Sequence, residues 1–184
     1  MNALMTRAVS AAVATTAVAA AVFAGPVAAD PGRIAVGPIS VPRAALAGWE
    51  VRGPGPDQIV SAVAQLQDRN WASLIEFGTT EADGRASRDV ARAIVLNAPS
   101  NKAYKSSKAR IEGLAITPTT VSGIPASRAT AEVRIDGGPV RADRFRVTVI
   151  DTKPQTYFLS LVPDEAPDRR RQADAAEAGA VATR

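Results

Sequence analysis

Apolar and polar residues alternate most clearly in the second half of the chain. Ala129, Ala131, Val133 and Ile135 alternate with Thr130, Glu132 and Arg134, and Phe145, Val147 and Val149 alternate with Arg144, Arg146 and Thr148. A period of two residues marks a strand with one buried face. Asp136-Gly137-Gly138 lies between these runs and is a strong hairpin turn. Asp151-Thr152-Lys153-Pro154 turns the chain again, and Tyr157, Leu159 and Leu161 complete a three-stranded meander. Pro163-Asp164-Glu165 then opens a last helix, Ala166 to Ala178, with acids early. Its apolar face is only Ala, so thin packing and a frayed tail over 179–184 are expected.

Upstream the pattern is less regular. Ile34 to Val41 reads as a short first strand, broken by Gly37-Pro38 and stopped by Pro42. Gly53-Pro54-Gly55-Pro56 is a breaker. In Gln58 to Gln67, Ile59, Val63 and Leu66 would share a helical face, whereas Ile59, Ser61, Val63 and Gln65 would alternate in a strand. The flanking turn residues favour the strand, without removing the helix. Trp71 to Thr80 is a strand with Leu74 on one face and Ile75 and Phe77 on the other. Trp71 and Phe158 are expected to face away from Phe77 and Tyr157, into a core under the first helix or outward as an aromatic contact. That helix is predicted over Ala86 to Asn97, with Ser87 as N-cap, an apolar face of Val90, Ala91, Ile94 and Val95, and Arg85, Arg88 and Arg92 toward water. Ser100 to Arg110 is a polar connection with a helical turn around Tyr104. Glu112 to Ser122 carries Leu114, Ile116 and Val121 but is interrupted by Pro118, and Gly123-Ile124-Pro125-Ala126 is a turn. Clustered strands joined by tight turns give a single α+β domain over 34–178: an antiparallel sheet with a C-terminal meander, flanked by two main helices.

The first 29 residues follow a different logic. Arg7 precedes a long Ala- and Val-rich run with no charge until Asp30, ending in Pro26-Val27-Ala28-Ala29. A positive start, an apolar middle and small residues before a polar one make a secretory signal peptide, with cleavage expected between Ala29 and Asp30. The run from Ala8 to Ala24 is 17 residues long, short for a membrane span of about 20. The twin-arginine pair is absent, so the general secretory route is implied, and without Cys there is no lipid attachment at the cleavage site. The expected location is therefore extracytoplasmic. Residues 30–33 are a loose lead-in to the domain. The 155 residues from Asp30 to Arg184 suffice for one core, which must hold by packing since there is no cysteine to cross-link. Abundant Ala, Arg, Val and Asp with little Lys suit a high-GC genome.

The order of elements resembles the PsbP/Mog1-like fold as it occurs in actinobacterial exported proteins of the LpqN type. The likeness rests on Thr120 to Arg128, the Asp136-Gly137-Gly138 hairpin, the strand Tyr157-Phe158-Leu159-Ser160-Leu161, and a helix led by Pro163 and acids. The strand ending in Pro42 with Gly48-Trp49 soon after is similar to that family's entry to the domain. The resemblance implies an α/β/α sandwich and a non-enzymatic envelope module, and it brings no catalytic residues. This chain departs from it in lacking the lipobox Cys of many relatives and in its longer spacing from Pro42 to Trp49.

Charge and side-chain chemistry narrow the function further. The net charge of +4 falls to +3 without Arg7, with the two signs interspersed, which argues against nucleic-acid binding. There is no His and no Cys, which removes Ser-His-Asp triads, thiol nucleophiles and imidazole or thiolate metal sites. No phosphate loop, zinc-protease helix or calcium loop is present, so neither cofactor nor metal is predicted. Two enzyme routes remain open. Glu76 and Glu132, if they met across a cleft, could hydrolyse a wall polysaccharide, and Ser106, Ser107 and Lys108 form a Ser-Lys cluster. For binding, Arg134, Arg144 and Arg146 project from one side of adjacent strands and could hold an anionic envelope ligand or a protein, or could form a solvated face balanced in part by Glu132. Arg169-Arg170-Arg171 is expected to pair with Asp164, Glu165 and Asp168. A third possibility is a lipid cavity beside Ala173, Ala176 and Ala180.

Overall fold

A computed structural model describes residues 30–67, 69–81, 84–104 and 107–184. The expected signal peptide, Ala29 included, lies outside these residues, as does Ser106 of the Ser-Lys cluster. In chain order the elements are β1 (Arg33–Val36), β2 (Ile39–Pro42), β3 (Glu50–Arg52), β4 (Ile59–Gln65), β5 (Ala72–Thr79), α1 (Ser87–Asn97), β6 (Lys108–Val121), β7 (Ile124–Asp136), β8 (Ala142–Ile150), β9 (Thr156–Pro163), α2 (Pro167–Ala178) and β10 (Val181–Ala182). Seven strands form one antiparallel sheet in the order β3-β4-β5-β9-β8-β7-β6, and β1, β2 and β10 form a small second sheet.

The period-two pattern decides which residues meet which layer. Ala129, Ala131 and Val133 of β7, Phe145, Val147 and Val149 of β8, and Leu159 and Leu161 of β9 point to one face, where α1 covers them with Val90, Ala91 and Val95. The other face carries Val60, Ala62, Ile75, Phe77, Phe158 and Val162, covered by α2 and the small sheet through Ala173, Ala176, Ile39 and Val41. Strand β9 is central and covered on both sides, so all eight of its residues are buried. The architecture is α+β, an antiparallel sheet between two layers, as the alternation and helix placement predict.

Several local expectations are corrected. Gln58 to Gln67 is resolved in favour of the strand, as β4. The first strand is a hairpin: Gly37 takes a left-handed φ of 54°, and β1 folds back on β2. Pro118 does not interrupt β6, because β6 is an edge strand and a proline lacking its N–H is tolerated there. The following turn is Ser122-Gly123, both with positive φ, which is the two-residue geometry whose twist suits a hairpin; Ile124 already belongs to β7. Ser87 is the first helical residue and not the cap, and its hydroxyl bonds to that of Ser127 at 3.0 Å. Phe158 lies under α2, stacked on Phe77 at 6.4 Å between ring centres, since the two are cross-strand partners. Trp71 packs instead on the α1 side against Tyr104.

The tail does not fray. Residues Val181 and Ala182 pair with Ser40 and Ile39 of β2. Arg33 donates through Nη2 to the Gly179 carbonyl at 2.7 Å and to the Ser40 carbonyl at 2.9 Å, tying β1 to the segment that follows α2. Gly179 is required by proximity, because a Cβ there would lie 2.7 Å from Pro42 Cγ. The Ala-only stripe of α2 therefore permits close approach, and polar anchors supplement it: Trp49 Nε1 donates to Gln172 at 3.0 Å, and the Arg169 guanidinium sits 5.2 Å from the Trp49 ring centre.

Candidate functional site: the polar half-face of the sheet

On its α2 side the main sheet is apolar over β4, β5 and β9 and at the Val121, Ile124, Ala126 and Ile150 end of β6, β7 and β8, whereas the rest of the β6-β7-β8 half is polar and only partly covered by α2. The predicted residues Arg134, Arg144 and Arg146 all point to this side, opposite in parity to the buried Val133, Phe145 and Val147. Register places Arg144 across from Glu132, Arg146 across from Thr130, and Arg134 across from Ala142. On the next strand pair, Arg110 faces Arg134 and Glu112 faces Glu132. Like charges directly opposite are unfavourable. Here they interleave diagonally: Arg134 pairs with Glu112 at 3.2 Å and with Glu132 at 3.1 Å, while Arg110 pairs with Glu112 at 2.9 Å and Asp136 at 2.5 Å.

Helix α2 supplies partners that strand alternation could not reveal. Asp174 pairs with Arg144 at 3.1 Å and Arg146 at 2.7 Å. Glu177, only 8% exposed, pairs with Arg146 at 2.8 Å and Arg128 at 2.9 Å and accepts from the Thr148 hydroxyl at 2.5 Å. Arg146 is thus a tether for α2, while Arg134 and Arg144 stay nearer to solvent. Of the predicted triplet pairings, Arg170 pairs with Asp164 at 2.7 Å and Arg171 with Asp168, whereas Arg169 donates to Gln172 at 2.8 Å. Glu165 lies near Arg69 at 3.8 Å and Arg141 at 3.6 Å. Among the described residues, the Nε groups of Arg146 and Arg170 are buried without an acceptor.

A shallow groove of about 570 Å³ runs along this half-face, lined by Glu112, Gly113, Thr130, Glu132, Arg144 and Arg170. Its edge is shaped by a bulge in β6 between Glu112 and Ala115. Gly113 there has φ 64°, and nothing stands within 4 Å of where its Cβ would be. A bulge of this kind bends an edge strand and re-aims its side chains.

The carboxylate pair weighed for hydrolysis is not assembled. Glu76 is across from Leu159, which is across from Val147 and in turn Ala129, so it shares the α1 side; Glu132 has the opposite parity on β7. The two acids lie on opposite faces of the sheet, three strands apart. Glu76 is 5% exposed and accepts a hydrogen bond from the Tyr157 hydroxyl. Burial pushes its carboxyl up to about 7, against the opposing effect of that hydrogen bond. Of the Ser-Lys cluster, Ser107 donates to the Tyr104 carbonyl at 3.1 Å. Ala173 and Ala176 are buried in the apolar layer and Ala180 packs against it, so these small side chains serve close packing of α2.

A second buried acid was missed. Asp143 is fully buried on the α1 side, accepting from the Tyr104 hydroxyl at 2.7 Å and from Trp71 Nε1 at 3.1 Å. Burial pushes it up to about 6, opposed by those two bonds. Its signal was present in the chain: Asp143 shares parity with Phe145, Val147 and Val149, so it is a charge on an apolar register.

No protein-family model matches the chain, and no curated protein matches it. The crystal structure of PA94, a protein of unknown function from Pseudomonas aeruginosa, is similar with 13% identity and a TM-score of 0.42, covering 69% of this chain and 94% of that one. The solution structure of cyanobacterial PsbP (CyanoP) from Synechocystis sp. PCC 6803 is similar with 13% identity and a TM-score of 0.49, covering 79% of this chain and 87% of that one. Likenesses of this degree carry neither ligand nor activity to the present chain.

Proposed function

We propose that the chain is an exported, non-catalytic binding or accessory module of an actinobacterial cell envelope, which holds an envelope component by an anionic group on the polar half of its sheet. The observation that carries this reading is the polar, only partly covered β6-β7-β8 face, where Arg144 lines a groove and Arg134 pairs with its Glu112 and Glu132. The leader pattern before Asp30, the absence of His and Cys, and the resemblance to exported proteins of the LpqN type support the same reading. Among the described residues no helix is long and apolar enough to cross a membrane.

The test is co-sedimentation of the protein with purified actinobacterial cell wall. Arg134→Glu and Arg144→Gln together should reduce the bound fraction about ten-fold, with an unchanged far-UV spectrum. Equal sedimentation of wild type and double variant, or none by either, would refute it. A partner protein recovered in place of wall material would refute the anionic component as well.

A further inference from the structure

We propose that the groove between α2 and the β6 bulge takes a small dipolar ligand: a dipeptide-sized molecule whose carboxylate meets Arg144 and Arg170 and whose ammonium meets Glu112 and Glu132. This rests on the binding reading above and names the ligand class for that site.

The argument is the separation of charge across the groove. Arg144 on β8 and Arg170 on α2 form one wall and Glu112 on β6 the other, with Glu132 on β7 between them, directly across from Arg144. Each of these side chains already has an oppositely charged neighbour, Glu112 and Glu132 in Arg134, Arg144 in Asp174 and Arg170 in Asp164, so a ligand with a single charge would unbalance one side of the groove. A molecule with one charge of each sign satisfies both walls. Strands β8 and β6 are two steps apart, about 10 Å between backbones at about 4.8 Å per step. Side chains reaching inward shorten that gap, and two extended residues span roughly 7 Å.

The donors are available. Arg144 uses Nη1 on Asp174 and Arg170 uses Nη2 on Asp164, which leaves the rest of each five-donor fork. Thr130 on β7 also lines the groove, and the open space at Gly113 leaves the β6 side unobstructed.

The experiment is an NMR titration of the ¹⁵N-labelled protein with four probes: alanyl-alanine, its N-acetyl form, its C-terminal amide, and inorganic phosphate. The free dipeptide should give saturable shifts at Gly113, Thr130 and Glu132 and at the side-chain Nε of Arg144 and Arg170. Blocking either end should weaken binding about ten-fold or more. Arg170→Gln should erase the preference for the free carboxylate, and Glu132→Gln that for the free amine. Because both residues line the groove rim and not the core, an unchanged amide spectrum elsewhere checks that each variant folds. Tight binding of phosphate or of the N-acetyl form would overturn the dipolar assignment and leave an anion site. Absence of groove shifts with every probe would overturn it entirely. Wall sedimentation that persists in that case would leave the envelope reading intact.

Discussion

Replacing Glu76 by Gln isolates one buried proton. In the unfolded chain this carboxyl titrates near its ordinary value of 4.5, whereas in the fold burial against Leu159 and Leu74 holds the proton until about pH 7. Between those values the native state binds more protons than the unfolded state, so stability falls as pH rises. At about 1.36 kcal/mol per pH unit the interval corresponds to a loss of roughly 3 kcal/mol, complete above about pH 7. A glutamine is neutral throughout, and its amide oxygen can accept from the Tyr157 hydroxyl as the carboxyl does. Urea unfolding followed by Trp fluorescence at pH 4 to 8 should therefore show similar stabilities for wild type and Glu76→Gln near pH 4. The variant should then gain steadily, to roughly 3 kcal/mol at pH 8. Asp143, raised from 3.8 to about 6, tilts both proteins in the same direction and cancels in the difference. A difference that is flat with pH, or that grows toward acid, would refute the assignment of a protonated Glu76 to the folded state.

Three further perturbations probe the other buried contacts. Asp143→Ala strands the Tyr104 hydroxyl and the Trp71 indole N–H in the core, and should cost about 2–4 kcal/mol in denaturant unfolding with a shifted Trp emission. Glu177→Ala removes a partner of Arg128, Arg146 and Thr148 at once; a loss of about 3 kcal/mol is expected in thermal or urea unfolding, with faster amide exchange across α2. Gly123→Ala meets no neighbour yet must adopt φ 75°, so about 1 kcal/mol should be lost with no change in the native amide spectrum beyond the β6-β7 turn.

Local patterns in this chain carry over directly into the fold. The alternation along β7, β8 and β9 assigns each side chain to a face because strand geometry has a fixed period of two and needs no knowledge of the partner. The same rule places Arg134, Arg144 and Arg146 together, and would have exposed Asp143 as an acid on an apolar register. Periodicity is silent on which elements cover a face. That β5 inserts beside β9 and so puts Glu76 and Glu132 on opposite sides follows from non-local pairing. That α2 lands where Asp174 and Glu177 meet Arg144 and Arg146 depends on contacts some thirty residues apart in the chain. The tail looked free because its anchor, β2, lies at the far end of the domain. The opposed charges of the groove likewise arise where a helix and three strands converge, and their composite environment is encoded in no single stretch of residues.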